Sequence, residues 1–181
     1  MVIAVYGGSF NPPHVGHGMV AAWLLWTRRA DRVWLLPAFQ HAFDKSLAPF
    51  EARCGMCAQL AREVGTGVEV CAVEAELPTP SYTYNTLRAL RERHPTDRFR
   101  LVIGADNLAQ IDLWYRWDGI QAEFSPIVVG RQGFPPVPDA PQFPGISSTE
   151  VRRRVAGGEP FAHLVPAAIR DQVHALYGGA P

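Results

Sequence analysis

Apolar and polar positions alternate along the chain in two rhythms. Short runs rich in β-branched and large aliphatic residues recur at Val2 to Tyr6, Arg32 to Leu36, Val68 to Val73, Arg100 to Ile103 and Pro126 to Val129, and they predict strands buried on both faces. Between them lie stretches with helical apolar spacing at Val15 to Arg29, Phe50 to Val64 and Thr83 to Arg93. A helical turn or two is predicted at Asn107 to Ile111 and again near Trp117 to Ala122, and His94-Pro95 bars the third helix from continuing. Strands alternating with helices predict an α/β fold, a single Rossmann-like doubly wound parallel sheet flanked by helices. Ligands of such sheets bind beyond the carboxyl ends of the strands at the switch point. The Gly7 to His17 segment, the chain from Pro37 onward and Gly104-Ala105-Asp106 all leave strands at that end, so they converge although distant in sequence.

The rhythm breaks between Arg131 and Gly145, where five of fifteen residues are proline. This is a connecting loop, and its composition leaves open a passive link or a mobile cover. Ser147 to Glu150 has capping-box spacing, predicting a helix to about Ala156 closed by Gly157-Gly158. A last helix, roughly Pro166 to Tyr177, is expected to pack Ile169, Val173 and Leu176 against the sheet. There is no internal repeat, and residues 1–181 read as one domain.

Composition narrows the function classes. The chain of 181 residues is 48% hydrophobic and 19% charged, as soluble globular proteins are. Lysine plus arginine equals aspartate plus glutamate, 17 against 17, so no global field recruits nucleic acid or an anionic membrane. Attraction for phosphate must therefore be local. No apolar run reaches bilayer length and no signal core follows a basic N-terminus, which makes a cytoplasmic location the expectation. A homo-oligomer is left open. Three cysteines are a poor disulfide framework, and the Cys54-x-x-Cys57 pair falls inside a helix with no second pair to complete a zinc site.

The densest chemistry is the run Tyr6-Gly7-Gly8-Ser9-Phe10-Asn11-Pro12-Pro13-His14-Val15-Gly16-His17. Two glycines at the end of a strand let the backbone approach a ligand closely. His14 and His17 are three residues apart, so on a helix that begins there they share a face beside the free N–H groups that attract anions. This is an anion site suited to phosphoryl chemistry, in which N–H donors or imidazolium stabilise developing charge without a nucleophilic side chain. The competing reading is a metal site or two satisfied polar residues, and nothing nearby supplies further metal ligands. The pattern matches neither a P-loop nor a Gly-x-Gly-x-x-Gly turn. Lys45, in the loop after the second strand, is a flexible cation able to reach the site, and His41 beside it is either a helper or a plain loop residue. Asp106 is suited to accept hydrogen bonds from ribose hydroxyls while capping the next helix. The run Arg152-Arg153-Arg154 has a bland reading as a solvated helix face.

The segment Gly8 to His17 resembles the signature of the HxGH nucleotidyltransferases, and Ile146-Ser147-Ser148-Thr149-Glu150-Val151-Arg152 is similar to that superfamily's second nucleotide motif. The blocks Phe50 to Met56, Ser81 to Leu87, Ile103 to Asn107 and Leu113 to Trp117 extend the likeness over nearly the whole chain, closest to the bacterial nicotinate-nucleotide adenylyltransferases. The resemblance implies adenylyl transfer from ATP to nicotinate mononucleotide. It implies that Gly7, Gly8, Ser9, Phe10, Gly104 and Ile146 line the ATP pocket with Asp106. His14 and His17 would meet phosphate oxygens, and Ser147, Ser148 and Arg152 would hold the β and γ phosphates. Catalysis would rest on His14, His17, Lys45 and Arg152. The acceptor would be met by Asn11, Lys45, Tyr82, Thr83, Asp106, Trp114 and Arg131, the nicotinate carboxylate near the Tyr-Thr pair and the ring against Trp114. Mg²⁺ is implied by the triphosphate and would be held mainly by phosphate oxygens and water. Relatives commonly carry a proline-rich stretch ending in His-Lys, where this chain reads Gln40-His41-Ala42-Phe43-Asp44-Lys45. The rivals are a superfamily member with another acceptor (nicotinamide mononucleotide or phosphopantetheine), a nucleotide-binding module without turnover, and a zinc protein.

Overall fold

A computed structural model describes residues 1–40 and 47–179. Six strands, β1 (Val2–Gly8), β2 (Arg32–Pro37), β3 (Val68–Val70), β4 (Arg98–Gly104), β5 (Ile127–Arg131) and β6 (Gln142–Phe143), form one all-parallel sheet in the order β3-β2-β1-β4-β5-β6. The helices are α1 (Val15–Trp26), α2 (Phe50–Val64), α3 (Thr83–Arg93), α4 (Ala105–Leu108), α5 (Trp117–Phe124), α6 (Ser148–Ala156) and α7 (Arg170–Tyr177). Strand order reverses between β1 and β4, the switch point where such sheets bind ligands. The register sets Gly8 beside Pro37 and Tyr6 beside Val102, so the chain exits of β1, β2 and β4 open on one edge.

Alternation along β1 divides the core. Ala4 faces a layer with Val20 and Leu24 of α1 and Cys57 and Leu60 of α2. Ile3 and Val5 face the opposite layer, with Leu87 and Leu90 of α3 and Ile120 and Phe124 of α5. Burial of these aliphatic and aromatic side chains, worth roughly 1.5 to 3 kcal/mol each, is what closes the helices onto the sheet.

Two expectations are corrected here. The proline-rich segment is not wholly loop, because Gln142–Phe143 adds a sixth strand to β5. A Cβ on Gly130 would lie 2.6 Å from the Pro141 carbonyl oxygen, so only glycine lets the two backbones approach so closely. The last helix does not pack on the sheet. Ile169 and Val173 meet Met56 of α2 and Val151 and Val155 of α6 in a third cluster, while Leu176 is 37% exposed. α2 already covers that part of the sheet, so α7 forms an outer layer. Among the described residues no helix is long and apolar enough to cross a membrane.

Candidate active site

A cleft of about 830 Å³ opens over the switch point. Gly7, Gly8, Ser9, Phe10 and Asn11 line its floor with the two histidines. Tyr82, Thr83 and Trp114 stand on one side, Gly104, Asp106 and Arg131 on another, and Ser147, Ser148 and Arg152 close a third. Every sequence-expected site residue is thus brought to one cavity except three. Ile146 reaches the site only through its carbonyl, which accepts from Arg131 Nη2 at 2.9 Å. Lys45 and His41 lie outside the described residues.

The floor is held under strain. Phe10 has φ +45°, a left-handed conformation costly for a bulky residue, and is held there by burial with its ring 4.8 Å from His17 and 5.9 Å from Tyr6. His14 is the N-cap of α1, and its backbone N–H donates to His17 Nδ1 at 3.0 Å. His17 therefore does at the third helical position what Glu or Gln does in a capping box. With Nδ1 accepting, the neutral ring carries its proton on Nε2, the N–H it can offer to the cleft. The two imidazoles stack at 3.7 Å. A Cβ on Gly16 would lie 3.0 Å from His14 Nδ1, so position 16 must be small for the rings to sit together.

Burial, and next the Arg131 charge, push the His14 pKa down to about 3. Burial, the His14 ring and Arg131 push His17 well below its ordinary value. Both rings are accordingly neutral at pH 7. His14 Nδ1 is buried with no hydrogen-bond partner among the described residues. The floor thus holds an uncommitted buried nitrogen and an N–H donor side by side, and an anion seated there would favour their charged forms.

The second wall comes from α6. Ser147 Oγ accepts from the Glu150 N–H at 3.1 Å, as its spacing predicts, but only half of the capping box forms. The Glu150 carboxylate instead accepts from Arg153 at 3.0 Å and Arg154 at 2.7 Å. Those pairings divide the arginine run, leaving Arg152 to turn inward, where Nη1 donates to the Asn11 carbonyl at 2.6 Å. Ser148 Oγ donates to the Pro12 carbonyl at 2.8 Å. Asp106, expected to meet a ribose, and Arg131, expected on the acceptor side, face each other at 2.5 Å.

On the remaining side the N-terminus of α3 carries Tyr82 and Thr83, with first-turn N–H groups that have no partner inside the helix. The rings of Tyr82 and Tyr115 lie 5.0 Å apart. Trp114 and Trp117 meet in a T-shaped pair and both pack on the core, and of the two Trp114 lines the cleft.

Three residues were not singled out from sequence. Arg53, only 1% exposed, donates from Nη1 to the Ser9 carbonyl and from Nε to the Ala48 carbonyl, both at 2.9 Å. Its signal was present: it stands on the apolar stripe Arg53, Met56, Cys57, Leu60, where a charge needs a buried partner. Glu74, also buried, accepts from the Phe39 N–H at 3.0 Å and the Thr86 hydroxyl at 3.1 Å, tying the β2 exit to α3, and burial raises its carboxyl pKa. Tyr177 donates to Asn11 Oδ1 at 2.6 Å. No local pattern marks these last two. Cys54 and Cys57 both lie on α2, and burial raises both thiols, which makes them poor thiolates. Among the described residues no group of three or more His, Cys, Asp or Glu could hold a metal ion.

Residues 5–154 match the model of the cytidylyltransferase-like family. A probable nicotinate-nucleotide adenylyltransferase of Anaeromyxobacter dehalogenans (strain 2CP-C) is 55% identical over 98% of this chain and 97% of its own. One of Myxococcus xanthus (strain DK1622) is 40% identical over 97% of this chain and 94% of its own. Among solved structures, the nicotinic acid mononucleotide adenylyltransferase of Plasmodium falciparum complexed with NaAD shares the fold at a TM-score of 0.77, with 20% identity over 97% of this chain and 93% of that one. The chain belongs to the cytidylyltransferase-like family, in the group of the nicotinate-nucleotide adenylyltransferases.

Proposed function

We propose that this protein transfers the adenylyl group of ATP to nicotinate mononucleotide, giving nicotinate adenine dinucleotide and pyrophosphate. The observation that carries the reading is the facing of two kinds of surface across one cleft. The starts of α1 and α6, with His14, His17, Ser148 and Arg152, form a phosphate-seeking side. The start of α3 and Trp114 form a side suited to a flat, acid-bearing ring. The names of relatives up to 55% identical, matched over nearly all of their length, support the same activity. In the reaction a phosphate oxygen of the acceptor attacks the α-phosphorus, the bond to the bridging oxygen breaks, and its electron pair leaves with pyrophosphate.

The side chains do the work of alignment and charge stabilisation. Gly7 and Gly8 admit the nucleotide close to the backbone. His17 offers Nε2–H to the phosphate chain and His14 supports it from the stacked position. Ser147, Ser148 and Arg152 hold the β and γ phosphates, so that charge arriving on pyrophosphate meets donors already in place. Asp106 accepts from a ribose hydroxyl, and Arg131 both holds Asp106 and faces the acceptor phosphate. Lys45 and Asn11 complete the acceptor side.

The donor set of the cleft is dominated by N–H and O–H groups. Glu74 is committed to its own donors and Asp106 to Arg131. Such a set suits phosphate oxygens, and a Mg²⁺ ion would ride on the triphosphate and water, where it neutralises charge that would repel the acceptor phosphate.

Acceptor choice tests the reading. Pyrophosphate release is measured with ATP, Mg²⁺ and, separately, nicotinate mononucleotide, nicotinamide mononucleotide and phosphopantetheine. The first-turn N–H groups of α3 suit a carboxylate, whereas an amide NH₂ there would face donors, at about 1 to 3 kcal/mol for each group left unpaired. The expected preference for the acid is at least about tenfold in kcat/KM. Equal kcat/KM for acid and amide, or turnover of phosphopantetheine alone, would overturn it.

A further inference from the structure

Three carbonyls of the loop between β1 and α1 are each held by a side chain, one from α2 and two from α6. Ser9 is bonded by Arg53 of α2 at 2.9 Å, Asn11 by Arg152 of α6 at 2.6 Å and Pro12 by Ser148 of α6 at 2.8 Å. The Asn11 side chain adds another tie. Its Oδ1 accepts from the Ala48 N–H at 3.0 Å and from the Tyr177 hydroxyl at 2.6 Å, using both lone pairs of that oxygen. Asn11 is 4% exposed, and Tyr177 is the last residue of α7, separated from it by 166 positions. Tyr177 is not among the residues that line the cleft. Its hydroxyl reaches the chemistry through Asn11, which precedes two prolines and then His14.

We propose that Tyr177 is a positioning residue for adenylyl transfer, its hydroxyl holding the Asn11 loop so that His14 and His17 stand in register with Arg152. The inference rests on the proposed activity for its catalytic consequence and on the hydrogen-bond network for its structural one. The two proline rings leave little slack between Asn11 and the α1 start, so a shift at Asn11 is passed on to the stacked imidazoles. Displacements well under a residue length are enough, because an alignment error of about 1 Å at reacting groups costs up to about 10²-fold in rate. Burial raises the Tyr177 phenol to about 12, which keeps the hydroxyl a donor throughout the working pH range.

Tyr177→Phe removes the donor and keeps the ring. The control is Val173→Ala, which opens a cavity in the same helix without touching Asn11. Tyr177→Phe is expected to lower kcat about tenfold with KM for ATP within about twofold, while Val173→Ala lowers the melting temperature more and leaves kcat at 25 °C unchanged. In an Asn11→Ala background the further loss from Tyr177→Phe should vanish, since the two act through one contact. With nitrogen-15-labelled histidine, Tyr177→Phe should also move the ring signals of His14 and His17, and Val173→Ala should not. That readout needs no turnover: a wild-type protein inactive on every pyridine mononucleotide would refute the proposed function, and the ring signals would still decide the positioning. Unmoved ring signals, a kcat within twofold of wild type, or losses at Asn11 and Tyr177 that simply multiply would each overturn the proposal.

Discussion

The two sides of the cleft are built to different standards. On the phosphate side the loop after β1 is buried and tied from three directions, with Arg53, Asn11 and His14 all buried. On the ring side Tyr82 is 38% exposed and packs mainly on Tyr115, itself exposed, while Trp114 belongs to a segment whose only regular structure is a single 3₁₀ turn, Ile111–Leu113. The difference follows from what each must do. A group that stabilises charge in the transition state gains from being fixed beforehand, because no reorganisation is then needed as the charge moves. A surface that admits and releases a flat ring needs only a face of the right shape. Errors on the first side should therefore appear in turnover, and errors on the second in acceptor affinity.

The largest effect expected from this contrast is at His17. His17→Ala removes both the Nε2 donor and the acceptor that fixes the His14 N–H, and kcat should fall about 10²- to 10³-fold while ATP binding, measured by calorimetry, changes by only a few-fold. A variant with wild-type kcat and weakened ATP binding would erase the distinction between the two sides.

The rigid side should also carry a signature in stability. Unfolded histidines titrate near 6.5, whereas His14 in the fold is held near 3 and His17 well below normal, first by burial. Between those limits the unfolded chain takes up protons that the native one refuses, so stability falls as pH drops below about 6.5. From pH 7.5 to 5.5 the His14 share is about 1.4 kcal/mol, with His17 adding in the same sense. Glu74 opposes them, because a carboxyl raised by burial contributes stability at low pH that is lost as pH rises through its folded value. Urea melts at the two pH values should show a larger loss for wild type than for His14→Asn, by about one proton's worth. Equal losses would mean that His14 is not held neutral.

The same contrast explains what could be read from the chain before its fold was known. Strands β1, β2 and β4, the α1 start and the Ser147 cap were legible because each is written in contiguous residues: a β-branched run, a glycine pair, a hydroxyl three places before a carboxylate. Strand β6 was not, since two residues amid prolines carry no period and the pairing depends on Gly130 lying close to Pro141. The ties that make the phosphate side rigid join Asn11 to Tyr177, Ser9 to Arg53 and Asp106 to Arg131, across 166, 44 and 25 positions. Local pattern has no access to such pairs, and Asp106 and Arg131 could each be read alone as a substrate contact. Leu176 misled because helical periodicity marks an apolar stripe without saying which layer of the molecule it meets.

The smallest effect, and the one that isolates the ring side, concerns Trp114. If its face stacks on the pyridine ring, Trp114→Ala forfeits about 0.5 to 1.5 kcal/mol of aromatic contact, or roughly three- to tenfold in KM for the mononucleotide. That loss should be the same for the acid and the amide, because stacking reads the ring while the α3 N–H groups read the substituent. The kcat value at saturating acceptor should stay within about twofold, since Trp114 packs on the cluster built by α3 and α5, on the ring side of the cleft, and adds nothing where charge develops. Acceptor titrations of both mononucleotides with wild type and variant, at saturating ATP and Mg²⁺, measure all three quantities together. A fall in kcat comparable with that of His17→Ala would show that the exposed side is as finely set as the buried one. A loss confined to the acid would instead move Trp114 from ring recognition to the carboxylate.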